Sequence, residues 1–298
     1  MNKKLVSIII NCHNGEKFLK QCIDSIINQT YKHWEIIFWD NKSTDSSKKI
    51  FKSYTDKRLH YFYSKKKDKL YTARNKAIKK ANGSFLAFLD TDDYWIKENL
   101  SLRKKFFEDE RFIFSYSNYF KFFEKTKNIK IAYSKKLPQD FIFEELLHNY
   151  CVSISSLIIR KDFFKKLKLK FEDRYDIIGD YDLVLRMSEN NLVHSSNVPS
   201  VYIRYHKKNL SRDRSKFFNE YLSWYKRTIS KPIYKRYISL LKNNLDHYEI
   251  IMRLYDKKDY KLFKKILSFP IFFTKLKMLI GFVIPIKVIS KLSRSLYY

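Results

Sequence analysis

The stretch FLAFLDTDDYW, residues 85–95, places a short apolar run directly before three aspartates in four positions. The run Phe85–Leu89 predicts a buried strand. Asp90, Asp92 and Asp93 would then crowd together where the strand ends. Like charges this close repel unless a cation relieves them, and carboxylate oxygens suit Mg2+ or Mn2+. The motif therefore predicts a divalent metal site. The alternative is an acidic turn in which Asp92 or Asp93 caps a following helix.

Upstream of this motif, strand and helix patterns alternate. Short apolar runs predict strands, and apolar residues at helical spacing predict helices. The predicted order is strand Leu5–Ile10, helix Glu16–Asn28, strand Trp34–Trp39, helix Thr44–Tyr54 capped by Ser43 or Thr44, strand Leu59–Tyr63, helix Leu70–Ala81 and strand Phe85–Leu89. Strands separated by helices of this length imply an α/β fold with a mostly parallel sheet and helices on both faces.

Ligands bind such sheets at the carboxyl ends of the strands. Three polar segments follow predicted strands there: Asn11–Asn14, Asp40–Asp45 and Asp90–Asp93. Further along the chain, strands are predicted at Phe112–Ser117, Ser153–Ile159 and Ser200–Tyr205, a helix at Asp180–Asn190, and basic helices from about Ser215 onward.

The composition indicates which kinds of partner and which cellular compartment to expect. The 298 residues carry 61 Lys and Arg against 31 Asp and Glu, a net charge of +30 that attracts phosphorylated substrates, anionic lipid or nucleic acid. No nucleic-acid recognition motif is present, so we expect no nucleic-acid partner. Cys12, Cys22 and Cys151 lack metal-ligand spacing and have apolar neighbours, which is typical of reduced, buried thiols in the cytoplasm. Neither a signal peptide nor a membrane-spanning run is predicted.

The segment Lys257–Tyr298 mixes apolar residues with lysines and contains no acid after Asp259. It is too basic to span a bilayer and suits a segment lying in the membrane interface. We therefore expect a protein bound peripherally to the inner face of the cell membrane. The alternatives are a helical subdomain packed on the rest of the chain, and a dimer contact.

From Val6 to Trp95 the chain resembles the nucleotide-binding half of family-2 glycosyltransferases, which have the GT-A fold. The matching blocks are SIIINCHN at 7–14, SIINQTY at 25–31 followed by EIIFWDNKSTD at 35–45, ARNKAI at 73–78 with Gly83, and LDTDDYW at 89–95. Two blocks of the acceptor half follow, GDYDLVLR at 179–186 and YIRYH at 202–206. The resemblance implies a GT-A catalytic domain at 1–212, divided into halves 1–118 and 119–212, before a helical basic extension at 213–298.

The resemblance also implies a function and a set of roles. The expected reaction is inverting, metal-dependent transfer from a nucleotide-diphosphate sugar, a UDP-sugar in our expectation, to a hydroxyl of a glycan or lipid-linked acceptor in cell-surface polysaccharide or lipooligosaccharide synthesis. Asp180 aligns with the catalytic base, and Mg2+ or Mn2+ is the expected cofactor. The implied nucleotide-sugar-binding residues are Asn11, His13, Asn14, Asp40, Asn41, Arg74, Asp90 and Arg204, and the implied metal-binding residues are Asp92, Asp90 and His206.

The sequence departs from the family pattern in three places. Asn41 stands where many members have an aspartate that binds uracil, and Gly179 stands where a glutamate usually precedes the base. Asn11 and Cys12 occupy the first loop, where a proline is often found. His206 has a second interpretation as a structural histidine. Two other functions stay open. A nucleotidyltransferase would need a Gly-rich basic loop after the first strand, which Asn11–Gly15 lacks, and a basic nucleic-acid-binding protein would need a recognition motif.

Overall fold

The computed structural model describes residues 4–166, 170–256, 260–268 and the single positions 270, 275, 278 and 279. The chain divides into two compact units, Met1–Asn209 and Leu210–Tyr298. The first unit is built from strands and helices, and the described part of the second is helical.

The first unit opens with the predicted alternation of strands and helices. Its elements are β1 (Val6–Cys12), α1 (Glu16–Ile27), β2 (Trp34–Asp40), α2 (Ser47–Lys52), β3 (Leu59–Tyr63), α3 (Leu70–Ile78) and β4 (Phe85–Phe88). β1 pairs in parallel with β2 and β4, and β2 pairs in parallel with β3. Because β1, β2 and β4 are buried almost throughout, their near-continuous apolar runs are those of a parallel sheet covered on both faces.

The remaining elements complete this sheet and add a second one. They are β5 (Tyr94–Trp95), α4 (Lys104–Glu108), β6 (Phe112–Ser117), β7 (Phe120–Phe123), β8 (Asn128–Ile131), α5 (Phe143–His148), β9 (Ile158–Arg160), α6 (Lys161–Lys166), α7 (Gly179–Ser188), β10 (Leu192–Ser196) and β11 (Val201–Tyr205). The large sheet has the order β10-β6-β9-β4-β1-β2-β3, and the small one β5-β11-β7-β8. β9 runs antiparallel to both of its neighbours, so the large sheet is mostly but not wholly parallel.

Three local predictions are corrected by the structure. The helix predicted at Thr44–Tyr54 is α2, Ser47–Lys52, because the backbone N–H of Thr44 donates to the Asn14 side chain instead of continuing a helix. The strand predicted at Ser153–Ile159 begins only at Ile158, after a 3-10 turn at Ile154–Ser156. The capping alternative for the acidic motif is wrong, since β5 and not a helix follows Asp93.

One close approach inside the sheet explains a glycine. The Ser7 hydroxyl donates to the buried Glu35 carboxylate at 2.6 Å and accepts from the backbone N–H of Gly83 at 2.7 Å. A Cβ on Gly83 would lie 2.6 Å from the backbone oxygen of Leu5. Gly83 therefore lets the chain before β4 approach β1 closely enough to satisfy this buried polar cluster.

The second unit contains α8 (Arg214–Thr228), α9 (Ile238–Asp256) and α10 (Tyr260–Leu267). Tyr221 and Tyr225 of α8 stack on Tyr248 of α9, with ring centroids 5.0 Å and 5.7 Å apart, so the aromatic stripe of α8 packs within this unit. No helix among the described residues is both long and apolar enough to cross a bilayer. Most of the predicted interfacial segment, Lys257–Tyr298, lies outside the described residues.

A buried histidine makes stability depend on pH. His194 of β10 packs against the rings of Phe106 and Phe112, and its Nδ1 lies 2.9 Å from the Ser115 hydroxyl. Burial, together with the nearby Arg103 guanidinium, lowers the pKa of His194 to about 4. The folded protein therefore holds this imidazole neutral at pH values where the unfolded chain protonates it.

We predict that the free energy of unfolding decreases by about 2 kcal/mol between pH 7 and pH 5 through His194 alone. The unfolded chain binds the proton below a pKa of about 6.5, while the folded protein resists it until about pH 4, so stability is lost as the pH falls. Urea denaturation at both pH values measures this, and His194→Asn should show the smaller loss. His33→Asn, at an exposed position, should behave as wild type. An equal pH dependence in His194→Asn and wild type would contradict the assignment.

Candidate active site

The polar segments that follow β1, β2 and β4 meet at one edge of the large sheet. The three strands are adjacent and parallel, and Cys12 of β1 lies in register with Asp40 of β2. The carboxyl end of β4 carries Asp90 beside them, since Leu89 donates its backbone N–H to Ile9. The structure thus brings together the segments that the sequence predicted to form a site.

Each of the three crowded aspartates has a different partner, and the first is bound by a buried cation. Arg74 of α3 forms an ion pair with Asp90. The Arg74 guanidinium lies 5.3 Å from the ring centroid of Tyr71 and 5.8 Å from that of Phe171, which fix its position. The charge of Asp90 offsets the burial of Arg74 and raises the pKa of the guanidinium, although burial alone would lower it.

The second aspartate faces an imidazole. Oδ2 of Asp92 lies 2.9 Å from Nε2 of His206 and accepts a hydrogen bond from Nδ2 of Asn209 at 3.1 Å. The His206 ring lies 5.2 Å from that of Phe18 on α1. Asp92 and His206 are distant in sequence, so the structure brings these two predicted metal-binding residues into direct contact.

The third aspartate is buried and structural. Asp93 accepts hydrogen bonds from the Ser155 hydroxyl at 2.6 Å and from the backbone N–H of Arg204 at 2.9 Å. Burial, followed by the charges of Asp92 and Asp90, raises the pKa of Asp93 well above its ordinary value. Asp93 therefore links the end of β4 to β11 and does not face a ligand.

Arg204 was predicted to bind the nucleotide sugar, but its polar atoms are all bound within the protein. Its Nε donates to the backbone oxygen of Asp92 at 2.8 Å, and its two terminal nitrogens bind Glu124 and Gln21 at 2.5 Å each. The guanidinium also packs 4.3 Å from the ring centroid of Phe18. In this geometry Arg204 holds the acidic loop in place.

The segments after β1 and β2 are also bonded to each other. Asp40 is buried and accepts from the Tyr61 hydroxyl at 2.6 Å and from the backbone N–H of Ser43 at 2.7 Å. The Asn41 amide donates to the backbone oxygen of Asp68 at 2.8 Å and accepts from its backbone N–H at 2.9 Å. Asn14 accepts from the backbone N–H of Thr44. These side chains shape the edge of the site.

One predicted ligand-binding residue, Asn11, has unpaired polar groups. Within the described part of the chain, both polar atoms of its side chain are buried without a hydrogen-bond partner, and the same holds for Nε1 of Trp39, which lies opposite Asn11 on β2. Leaving buried polar groups unpaired costs about 1–3 kcal/mol each. The exposed His13 lies beside them, with its Nδ1 3.0 Å from the backbone oxygen of Asn41. The unpaired polar groups of Asn11 and Trp39 lie near the carboxyl ends of β1 and β2.

The predicted base, Asp180, lies close enough to Arg74 for the two charges to interact. Asp180 is the second residue of α7, and its Oδ1 accepts from the Tyr71 hydroxyl at 3.0 Å. Burial raises the pKa of Asp180, while the charge of Arg74 and the Tyr71 hydrogen bond act in the opposite direction. A carboxylate with a raised pKa is a stronger proton acceptor, which suits a general base.

Residues 7–186, more than half of the chain, match the family model described as Glycosyl transferase family 2. The chain belongs to this family. The membership confirms the resemblance seen in the sequence and favours neither the nucleotidyltransferase nor the nucleic-acid-binding alternative.

Similar proteins include bacterial glycosyltransferases. The Escherichia coli UDP-Glc:alpha-D-GlcNAc-diphosphoundecaprenol beta-1,3-glucosyltransferase WfaP is 33% identical over 215 residues, which cover 72% of this chain and 82% of the relative. An uncharacterized glycosyltransferase of Haemophilus influenzae is 30% identical over 244 residues, which cover 78% of this chain and 94% of the relative.

Solved structures show the same fold. That of S. aureus TarS 1–349 in complex with UDP-GlcNAc matches with a TM-score of 0.66 at 16% identity, covering 93% of this chain and 86% of the other. The mannosyltransferase PcManGT from Pyrobaculum calidifontis, in complex with GDP-Man and Mn2+, matches with a TM-score of 0.59 at 16% identity, covering 93% and 74%. The predicted GT-A-like α/β fold is thereby confirmed.

The sequence did not identify Tyr71 as a site residue. Its position explains why this family-2 chain has Gly179 in place of the usual glutamate. A Cβ on Gly179 would lie 2.5 Å from a ring carbon of Tyr71. The usual glutamate therefore cannot occupy this position while Tyr71 holds its place. The signal available in the sequence was a tyrosine three residues before Arg74, which places both side chains on one helical face.

The acidic loop of this glycosyltransferase fits a divalent ion through two ligands. No group of three or more His, Cys, Asp and Glu side chains with metal-binding geometry occurs in the described part of the chain. Mg2+ usually takes one or two carboxylates and completes its shell with substrate phosphates and water. The facing carboxylate of Asp92 and imidazole of His206 provide such a partial ligand set.

Proposed function

We propose that this glycosyltransferase moves a sugar from a UDP-sugar to a hydroxyl of a lipid-linked glycan in cell-surface polysaccharide synthesis, with inversion. The observation that carries the proposal is that one buried arginine connects two predicted site residues. Arg74 forms an ion pair with Asp90, and its charge also interacts with that of Asp180. Two Escherichia coli relatives use UDP-Glc as donor and a GlcNAc-diphosphoundecaprenol acceptor, which supports the proposed substrate classes.

The free amide of Asn11 supports a uridine donor. Uracil presents an imide N–H between two carbonyl oxygens, and an amide can accept from the first while donating to one of the others. Asn41 has its amide engaged with Asp68, so we assign base recognition to Asn11 in place of Asn41. We assign the exposed His13 ring, two residues after Asn11, to stacking on the base.

Asp92 and His206 would hold Mg2+ or Mn2+. When bound, the cation would neutralise the charge that develops on the diphosphate leaving group. The carboxylate of Asp180 takes the proton of the acceptor hydroxyl as its oxygen bonds to the anomeric carbon and the bond to the diphosphate breaks. A single displacement of this kind inverts the anomeric configuration. Arg74 keeps the Asp90 carboxylate paired, which limits its repulsion of the diphosphate.

Asp92→Asn should lower the transfer rate at least ~100-fold, because the amide keeps the shape of the side chain but removes the anionic ligand. Excess EDTA should inactivate the wild type to the same degree, and added Mn2+ should restore it. The measurement is release of UDP in the presence of acceptor, with Glu110→Gln at an exposed acid as the matched control. Full activity in EDTA would contradict the metal assignment.

Asp180→Asn should lower kcat at least ~100-fold while the dissociation constant of the nucleotide stays near that of wild type, since the base acts on the acceptor hydroxyl. Steady-state kinetics and UDP titration calorimetry separate the two quantities. Asp173→Asn, an exposed neighbour, is the control. Loss of nucleotide affinity at unchanged turnover would place Asp180 in the donor site instead.

We also infer that the protein is peripheral on the inner face of the cell membrane, held by Lys257–Tyr298. The absence of acids after Asp259 and the repeated lysines support this, because anionic head groups repel acids and attract lysines. A lipid-linked acceptor of the kind named for the relatives would be met at that surface.

Replacing Lys275, Lys277 and Lys287 by glutamine should weaken co-sedimentation with anionic vesicles by roughly 100-fold, since each lysine near such a surface contributes about 1 kcal/mol. The same three-charge change at Lys65–Lys67 is the matched control and should have a smaller effect. Wild-type protein that stays in the supernatant with anionic vesicles at low salt would refute membrane binding.

A further inference from the structure

Tyr71 of α3 is buried and lies against the proposed base. Its hydroxyl oxygen is 3.0 Å from Oδ1 of Asp180 and 2.8 Å from the backbone oxygen of Ile177. Its ring stacks on that of Phe171, with centroids 5.3 Å apart at an interplanar angle of 20°. Two constraints, ring packing and hydrogen bonding, therefore fix the hydroxyl beside the carboxylate.

The two acceptors compete for one hydrogen. A phenol donates a single O–H and can accept in return, whereas a carboxylate and a backbone carbonyl only accept. While Asp180 is ionised, the stronger bond runs from Tyr71 to the carboxylate, because hydrogen bonds to charged groups are about twice as strong as neutral ones. The backbone oxygen of Ile177 is the second acceptor within reach of the same O–H.

The same geometry accommodates the protonated acid. Once Asp180 has taken the acceptor proton, its new O–H can donate to the Tyr71 oxygen, and the Tyr71 O–H can rotate to the Ile177 oxygen. No bond between heavy atoms changes, and the only proton gained is the one that Asp180 accepted. The Tyr71 hydroxyl and the Asp180 carboxyl group remain hydrogen-bonded to each other in both states, which avoids the cost of leaving either of them unpaired.

We propose that Tyr71 is a positioning residue that holds the Asp180 carboxyl group in both its ionised and protonated forms, and that Gly179 is required for it to do so. The inference rests on the proposed role of Asp180 as the base. It assigns to this chain a support for the base that the family pattern of a glutamate before the aspartate does not contain.

Gly179 is the steric counterpart of Tyr71. A Cβ built there would lie 2.5, 2.6 and 2.7 Å from three atoms of the Tyr71 ring. The Tyr71 ring is stacked on Phe171, so it cannot move away as the end of a flexible side chain would. Any larger residue at 179 would therefore displace the Tyr71 hydroxyl from Asp180. The two positions are matched in size.

Two charged groups act on this pair, one from α3 itself and one from the segment after β4. Arg74, one turn further along α3, lies over the Tyr71 ring and favours the ionised form of Asp180, while Asp90 after β4 opposes it. Both are bound to each other and stay in place when only the Tyr71 hydroxyl is removed. A variant that lacks the hydroxyl therefore isolates its contribution.

Tyr71→Phe keeps the ring and deletes the O–H. We expect kcat to fall about 10-fold and KM for the donor to change less than ~2-fold, as for loss of one hydrogen bond to a charged group. The acidic limb of the kcat–pH profile should move to higher pH, because the lost bond favoured the carboxylate. Tyr116→Phe removes an equally buried hydroxyl, bound to the backbone oxygen of Pro138 at 2.6 Å, and should leave that limb in place.

Incorporation of 3-fluorotyrosine at position 71 gives the opposite change. The group has nearly the same shape and a more acidic O–H, so the acidic limb should move to lower pH. A limb that stays at the wild-type pH in both Tyr71 variants, with kcat within 2-fold of wild type, overturns the inference.

The double variant separates this inference from the proposed function. In an Asp180→Asn background, Tyr71→Phe should lower kcat by less than a further 2-fold, since no base is left to position. If Asp180→Asn itself retains turnover, the assignment of the base fails, whatever Tyr71 does. If Asp180→Asn is inactive and Tyr71→Phe is silent, only the role of Tyr71 fails.

Discussion

Repulsion among three carboxylates at the end of β4 is the constraint around which the site is organised. Asp90, Asp92 and Asp93 lie within four consecutive positions and cannot all remain ionised and unpaired. The structure relieves each differently: Arg74 pairs with the first, His206 and Asn209 contact the second, and burial favours the neutral form of the third. The second faces an imidazole, and this pair is the one to which we assign the metal. We therefore place the proposed metal at Asp92, because Asp90 and Asp93 are engaged by other groups.

The partners of these aspartates tie the unit together. Ser155, in the 3-10 turn that leads into β9 of the large sheet, donates to Asp93, and so does the backbone N–H of Arg204 on β11 of the small sheet. Arg204 continues to Glu124 and to Gln21 on α1. The acidic loop is therefore the point where two sheets and a helix meet, and a change in any of these partners is felt at Asp92.

Much of this was predictable because the segment from β1 to β4 follows local sequence rules. Parallel, doubly covered strands carry apolar runs that stand out in the sequence, and the ends of those strands located the acidic motif. Contacts between residues far apart in the chain were harder to predict. The strand that contains β9 was predicted to begin too early, at Ser153. Ser155 belongs to the turn before this strand, and its hydroxyl donates to Asp93. The internal bonding of Arg204 and Asn41, and the contact of Tyr71 with Gly179, depend on residues far apart in the chain, which no local pattern records.

The position of Arg204 in the chain bears on how the protein is made. This arginine follows Asp93 by 111 residues, so a ribosome releases the acidic loop well before the strand that binds it. At roughly 5–20 residues per second, several seconds pass during which Asp93 cannot form its bond to β11. Strands β1 to β4 can associate in that interval, but the loop beside them lacks its final shape. Nascent chains truncated before β11 should consequently hold a sheet without a finished site, and catalytic competence arrives only near the end of the first unit's synthesis.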